Sequence, residues 1–327
     1  MRRRDLLATG AVALIPAAGR AQRPQRLPRV GFLFLRPEAE LGNEPPALII
    51  SSLRDFGWVD GKTVQIESRY GNGDIARLPA LAAELVAAKV DVIVSYATGV
   101  LASWRTTQSV PIVQATGPDP VALGYATSLA KPGGNVTGST FFPAELFAKR
   151  LEILKDLDPK LVRAGMLLVH NNTDANAILL RALESAGKGL SVELKIAEVG
   201  GPSDFAAAFE SWASSGVRGV LFSDHDLLVK KANAESLASL GIKHRLPTIG
   251  SEYQCRYGAL IGYGVHFGAQ FRRAAYFVDR ILKGAKPRDL PFEQATRFQF
   301  LFNSRTAKAL EIAIPPSLLA RADEVIE

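Results

Sequence analysis

Few groups in this sequence are close enough together to move a proton or hold a charge. The densest set is "SDHD", which places His225 between Asp224 and Asp226. Two carboxylates and an imidazole can do acid–base chemistry when they converge on one substrate atom. Adjacent residues in a loop point in different directions, so the trio reads as a polar rim, with either Asp224 or His225 facing inward. Another carboxylate, Asp119, stands between two prolines in "TGPDP", directly after the apolar run "PIVQA". Asp followed by Pro has the form of a helix start, with the acid as cap and the proline in the first turn. The same carboxylate can also meet a bound cation.

Other chemistries come close and fail. "GGNVTGST" (133–140) has the glycine spacing of a phosphate loop, but Ser139 stands where a lysine must reach the phosphates. "GNGDIA" (71–76) imitates a dinucleotide fingerprint, yet it follows the second strand of its unit rather than the first. No G-x-S-x-G elbow occurs. The four histidines lack zinc-enzyme spacing, and the single cysteine, Cys255, excludes an intramolecular disulfide and reads as a small buried hydrophobe. The sequence therefore predicts no catalytic residues, no metal, no cofactor and no enzyme activity.

The elements that carry these loops alternate strand and helix. "RVGFLFL", "VDVIVSY" and "PIVQA" are continuous apolar runs, and "TVQIESRY" alternates. "RLPALAAELVAAK" sets Leu78, Leu81, Ala82, Leu85 and Val86 on one helical face. The same order returns in "RAGMLLVH", "LSVELKIAEV", "VRGVLFSDH" and "LPTIGSE". Apolar strands alternating with helices imply parallel sheets covered on both faces. The repeat predicts an α/β fold of two similar doubly wound parallel-sheet lobes joined by a crossover hinge. The expected division is 28–138 for the first lobe and 139–262 for the second, with 263–327 crossing back between them. "KPGGNVTG" reads as a turn, and "ELFAKRLEILKDL" as a helix with Leu146, Phe147, Leu151, Leu154 and Leu157 on its apolar face.

Ligands of open parallel sheets gather outside the carboxyl ends of the strands. Those ends are "RPEAE" (36–40), "YATG", "TGPDP", "HNNTD", "SDHD" and "SEYQ", small and polar enough to hydrogen-bond a small polar molecule. The candidate ligand-binding residues are Thr98, Thr116, Asp119, Asn171, Asp224 and Tyr253. Of the aromatics near strand ends, Tyr96, Phe141, Phe142, Tyr253, Tyr257 and Tyr263 can either stack on a flat ligand or pack between lobes.

The 327 residues carry 47% hydrophobic side chains and a formal charge of +7. "MRRRDLLATGAVALIPAAGRAQ" has a basic start, a short apolar run and small residues before a cut after Ala21. It reads as a signal peptide over residues 1–21, with "RRRDLL" shaped like a twin-arginine signal. Its removal takes four arginines and Asp5 and leaves +4. That mild balance, with no basic patch among aromatics, argues against a nucleic-acid partner. The expected location is the periplasm, and the expected state is a monomer.

Taken together, "LRDFGWVDGKTVQIESRY", "VPIVQATGPDPVALG", "SLAKPGGNVTGST", "ELFAKRLEILKDLDP", "RILKGAKPRDLP" and "PPSLLARADEVIE" resemble the ABC-transporter substrate-binding proteins, in the group that includes tryptophan-type members. The resemblance covers nearly the whole chain. It implies a periplasmic-binding fold of type I whose lobes close on a solute and dock on a membrane permease. Asp119 falls on the family's Thr-Gly-x-Asp-Pro position and Thr98 in the matching loop after "VIVSYA". An amino-acid ligand would suit Asp119 as ammonium partner, with helix N-termini taking the carboxylate. The chain departs from the pattern in "FLRPEAE" and "SDHDLL". The alternatives are a sensor of the same fold that signals to a membrane protein and, less favoured, an enzyme on this scaffold.

Overall fold

The computed structural model describes residues 26–37, 45–170 and 173–327. The leader at 1–21, Glu38–Glu40 of the first strand-end loop, and Asn171 lie outside the described residues. Strands β1 (Arg29–Phe34), β2 (Gln65–Tyr70), β3 (Val92–Ser95), β4 (Ile112–Gln114), β5 (Val136–Thr140) and β11 (Glu293–Gln294) form one sheet. Strands β6 (Arg163–Val169), β7 (Glu193–Val199), β8 (Val220–Phe222), β9 (Thr248–Gly250), β10 (Ile261–Val265), β12 (Phe298–Asn303) and β13 (Glu324–Ile326) form the other.

The repeat read from the sequence is present as topology. The first sheet runs β2-β1-β3-β4-β5-β11 and the second β7-β6-β8-β9-β10-β12-β13, so each lobe has the same order through its sixth strand. Every pair in the first sheet is parallel. In the second, β12 runs antiparallel to β10.

Each lobe also has a fifth strand that local pattern did not reveal. "VTGST" begins inside the run read as a turn and extends past it, and "IGYGV" carries two glycines. Neither is a continuous apolar run, but burial between neighbours supplies what propensity lacks. In β5, Gly138 has φ +138°, and a Cβ there would stand 2.1 Å from the Gln114 carbonyl oxygen.

The central strands are buried on both faces, as a doubly wound sheet requires, while the edge strands β2 and β7 are partly exposed. In β1, Val30, Phe32 and Phe34 pack toward one layer of helices, while Leu33 faces the other. The first of these layers is completed late. The helix Phe267–Leu282 returns from the second lobe and contributes Phe271, Ala274, Phe277 and Val278 to the core of the first. The chain therefore passes between sheets three times: at 141–142 into the helix Pro143–Leu157, at His266, and at 295–297 on the way to β12. The His266 amide donates to the Arg297 carbonyl at 3.0 Å, tying the second crossing to the third.

Candidate functional site

A cavity of about 200 Å³ lies between the carboxyl ends of the two sheets. The first lobe lines it with Arg36 after β1, Tyr96–Thr98 after β3 and Thr116–Pro118 after β4. The second lobe contributes Ser223–Asp226 after β8, Tyr253 after β9, and Phe147 and Leu179 from helices. Phe141 and Pro143 belong to the first crossing, and Phe267 and Phe271 to the returning helix. Most of the wall is apolar, and its polar groups are few and placed at strand ends, as in a small-molecule site.

The first-lobe wall favours an anion. Ala97 takes φ +45° and starts the helix Thr98–Thr106, whose first turn opens on the cavity with the positive end of its dipole. The Thr98 and Thr116 hydroxyls are buried and have no hydrogen-bond partner, and Thr116 is only 4% exposed. A buried hydroxyl without a partner is costly, so a cavity that collects several is built for a guest that satisfies them. The Arg36 guanidinium adds a positive charge, with Nε donating to the Tyr96 hydroxyl at 3.4 Å.

The second-lobe wall is acidic. Ser223 is buried with its hydroxyl unpartnered. His225 Nδ1 accepts from the Leu227 amide at 3.1 Å and caps the short helix Asp226–Val229, which puts the proton of the neutral ring on Nε2. Burial lowers its pKa, against the pull of Asp226. Burial raises the pKa of Asp226, with Arg36 across the cavity and His225 pulling the other way. Burial also raises that of Asp224, whose carboxylate is engaged by Arg150 Nη2 at 2.8 Å.

Aromatic rings join the lobes beside these groups. Tyr96 packs on Phe34 with ring centroids 5.5 Å apart and edge-on against Phe271 at 5.9 Å. Phe271 meets Phe267, and Phe267 stacks on Tyr253 at 5.6 Å with planes 12° apart. The Arg36 guanidinium lies 5.8 Å from the Tyr253 centroid, so this first-lobe cation reaches a second-lobe ring.

Thr98, Thr116, Asp224 and Tyr253 thus line one cavity. Asp119 does not line it; its Oδ1 accepts from the Val121 amide at 2.8 Å and closes a turn. Asn171 lies outside the described residues. Tyr96 and Phe141 line the cavity as well, whereas Phe142, Tyr257 and Tyr263 do not. Sequence reasoning passed over Arg36, Ser223 and Asp226 as individual contacts, although each stood in a strand-end loop already singled out. Cys255 is fully buried, and burial pushes its thiol up to about 12, away from reactivity. Among the described residues there is no cluster of three or more His, Cys, Asp or Glu able to hold a metal ion, and no helix long and apolar enough to cross a membrane.

Comparison with known proteins agrees with this architecture. The chain is 27% identical over 266 residues to a tyrosine-binding protein of Clostridioides difficile (strain R20291), covering 80% of this chain and 75% of that protein. Among solved structures, it superposes on a conserved domain protein from Vibrio cholerae with a TM-score of 0.84 and 22% identity, covering 92% of this chain and all of that one. An ABC domain in complex with L-Trp from Streptococcus pneumonia gives a TM-score of 0.80 at 22% identity, again covering 92% of this chain and 100% of the other. The profile described as ABC transporter substrate binding protein matches residues 47–326, and the chain belongs to that family.

Proposed function

We propose that this solute receptor captures a zwitterionic amino acid with a flat apolar side chain. The observation that carries the reading is the polarity of the cavity. Its first-lobe side offers a helix N-terminus, Arg36 and the free hydroxyls of Thr98 and Thr116, and its second-lobe side offers Asp226, Asp224 and the Ser223 hydroxyl. A carboxylate suits the first wall and an ammonium the second, so one molecule bridges the lobes. In this assignment Asp226 replaces Asp119 as the ammonium partner, since the Asp119 carboxylate closes its own turn. Tyr253, Phe267 and Phe141 flank the apolar body of the ligand. The tyrosine-binding and L-Trp-bound relatives are consistent with such a solute.

Closure follows from the same division. Each lobe holds half of the contacts, so full binding energy is available only when the lobes meet, and ligand shifts the population toward the closed form. The closed receptor is then presented as a monomer to an ABC permease. Residues 1–21 act as the export signal, of twin-arginine shape, and the mature chain works in the periplasm without performing catalysis.

Calorimetric titration with L-tyrosine, L-tryptophan and 3-phenylpropionate tests the reading. The two amino acids should bind, and the acid without an ammonium group should bind at least about tenfold more weakly. Equal affinity for 3-phenylpropionate would remove Asp226 from the account. Binding of sugars or nucleosides in place of amino acids would overturn the solute class.

A further inference from the structure

Arg150 is a charge on the buried face of the helix Pro143–Leu157, and none of its side chain is exposed. Nε donates to the Tyr263 carbonyl at 2.7 Å and Nη1 to the Phe222 carbonyl at 2.9 Å. Nη2 lies 2.8 and 3.0 Å from the two carboxylate oxygens of Asp224. The guanidinium also lies over the Phe147 ring, 4.6 Å from its centroid. Gly264 leaves the space, since a Cβ there would stand 3.2 Å from Nη2.

A buried ion pair is weak evidence for stability, because apolar side chains of similar volume often serve as well. What distinguishes this one is where its contacts lead. Asp224 and Phe147 both line the cavity. Tyr263 belongs to β10, which runs into the second crossing at His266, and its ring stacks on Phe298, the first residue after the third crossing, at 6.1 Å. Arg150 itself stands on the helix that begins at the first crossing. One side chain thus touches two points of the ligand wall and is joined to all three connections between the lobes.

We propose that Arg150 is a positioning residue for solute capture: it holds Asp224 as a fixed anion in the cavity wall and locks that wall to the crossing segments, so that wall and hinge move as one body. The inference rests on the reading of the cavity as a site for a zwitterionic amino acid. Nη2 on both oxygens holds Asp224 toward the carboxylate, against burial, which raises its pKa. Among the described residues, the other charged or titratable groups lining the cavity are His225 and Asp226 on its own loop, Tyr253 after β9, and Arg36 and Tyr96 across the cavity.

The test compares wild type with Arg150→Gln, Arg150→Lys and Asp224→Asn, using L-tryptophan and L-tyrosine as probes at pH near 6 and near 8. Wild type should bind with little pH dependence. Arg150→Gln should bind at least about tenfold more weakly near pH 6 and recover toward pH 8 as Asp224 ionises. Arg150→Lys restores a cation and should flatten the profile again, even though it cannot fork to both carbonyls. Equal weakening of both Arg150 variants at every pH, or no weakening, would overturn the proposal. If Arg150→Gln does not fold, Asp224→Asn decides: it keeps the two carbonyl bonds, and affinity lost in the folded variant at both pH values supports the assignment, while unchanged affinity refutes it. If wild type binds neither probe, the amino-acid reading has failed, and unliganded melting then tests Arg150 separately. With the guanidinium gone, Asp224 takes up a proton more readily in the folded than in the unfolded chain, so Arg150→Gln should gain stability relative to wild type as pH falls. Absence of that relative gain would show that Arg150 does not hold the charge.

Discussion

At the scale of single residues, the cavity separates side chains that await a guest from side chains already employed. The Thr116 hydroxyl is buried and without a partner, so Thr116→Val removes a group that contributes nothing to the empty fold. We expect the unliganded melting temperature to stay level or rise. Solute affinity should fall roughly fivefold, the equivalent of about 1 kcal/mol for one hydrogen bond. Asp119 predicts the reverse. Its carboxylate accepts from the Val121 amide, and Asp119→Ala should cost about 0.5–1.5 kcal/mol in urea unfolding while leaving the dissociation constant unchanged. The two variants side by side separate contact from scaffold. A loss of affinity in Asp119→Ala without loss of stability would return that carboxylate to the ligand.

At the scale of elements, what could be read in advance depended on how much of each element's reason lay nearby. The runs that became β1, β3, β6 and β8 announce themselves because fully buried parallel strands are apolar along their length. "VTGST" and "IGYGV" do not, because their strand character is imposed by neighbours. In β5 the two threonine hydroxyls are absorbed by partners distant in sequence: Thr137 Oγ1 donates to the Leu290 carbonyl at 2.7 Å and Thr140 Oγ1 to the Pro118 carbonyl at 3.0 Å. Gly138→Ala should therefore be costly, by more than about 1–3 kcal/mol, since φ +138° and the crowding against Gln114 act together. Denaturant unfolding measures it, and a loss below a few tenths would mean that β5 relaxes freely. The same distance hid Arg150. It stands among Leu146, Phe147, Leu151 and Leu154 on a buried helical face, and the acid that explains it is 74 residues away. The strand-end loops, in contrast, were legible as a group, because polar residues after apolar strands mark the cleft whichever of them touches the solute.

At the scale of the whole molecule, closure and acid response are the measurable properties. Saturating L-tyrosine or L-tryptophan should reduce the radius of gyration in solution scattering; no change on binding would argue against jaws that move. His225 lies in the cavity with its pKa lowered by burial, so the unfolded chain takes up a proton at this site before the folded chain does. Its contribution to stability is intact above the ordinary histidine range and is lost as pH falls below it. His225→Asn keeps a side-chain acceptor for the cap and removes the titration, so its melting curve should gain on wild type between about pH 7 and 5. Parallel curves would show that His225 does not titrate on unfolding. The three crossings also impose an order on biosynthesis. Phe32 and Phe34 await Phe271 and Phe277 for cover, and Phe34 and Phe267 are 233 positions apart. At about 5–20 residues per second, that gap leaves one face of the first sheet covered only in part, by Ile49 and Leu53 of the helix Ala47–Asp55, for roughly 10–50 s during translation. The lobe begun first cannot finish until most of the second has emerged, so the nascent chain carries an incompletely covered apolar face through most of its synthesis.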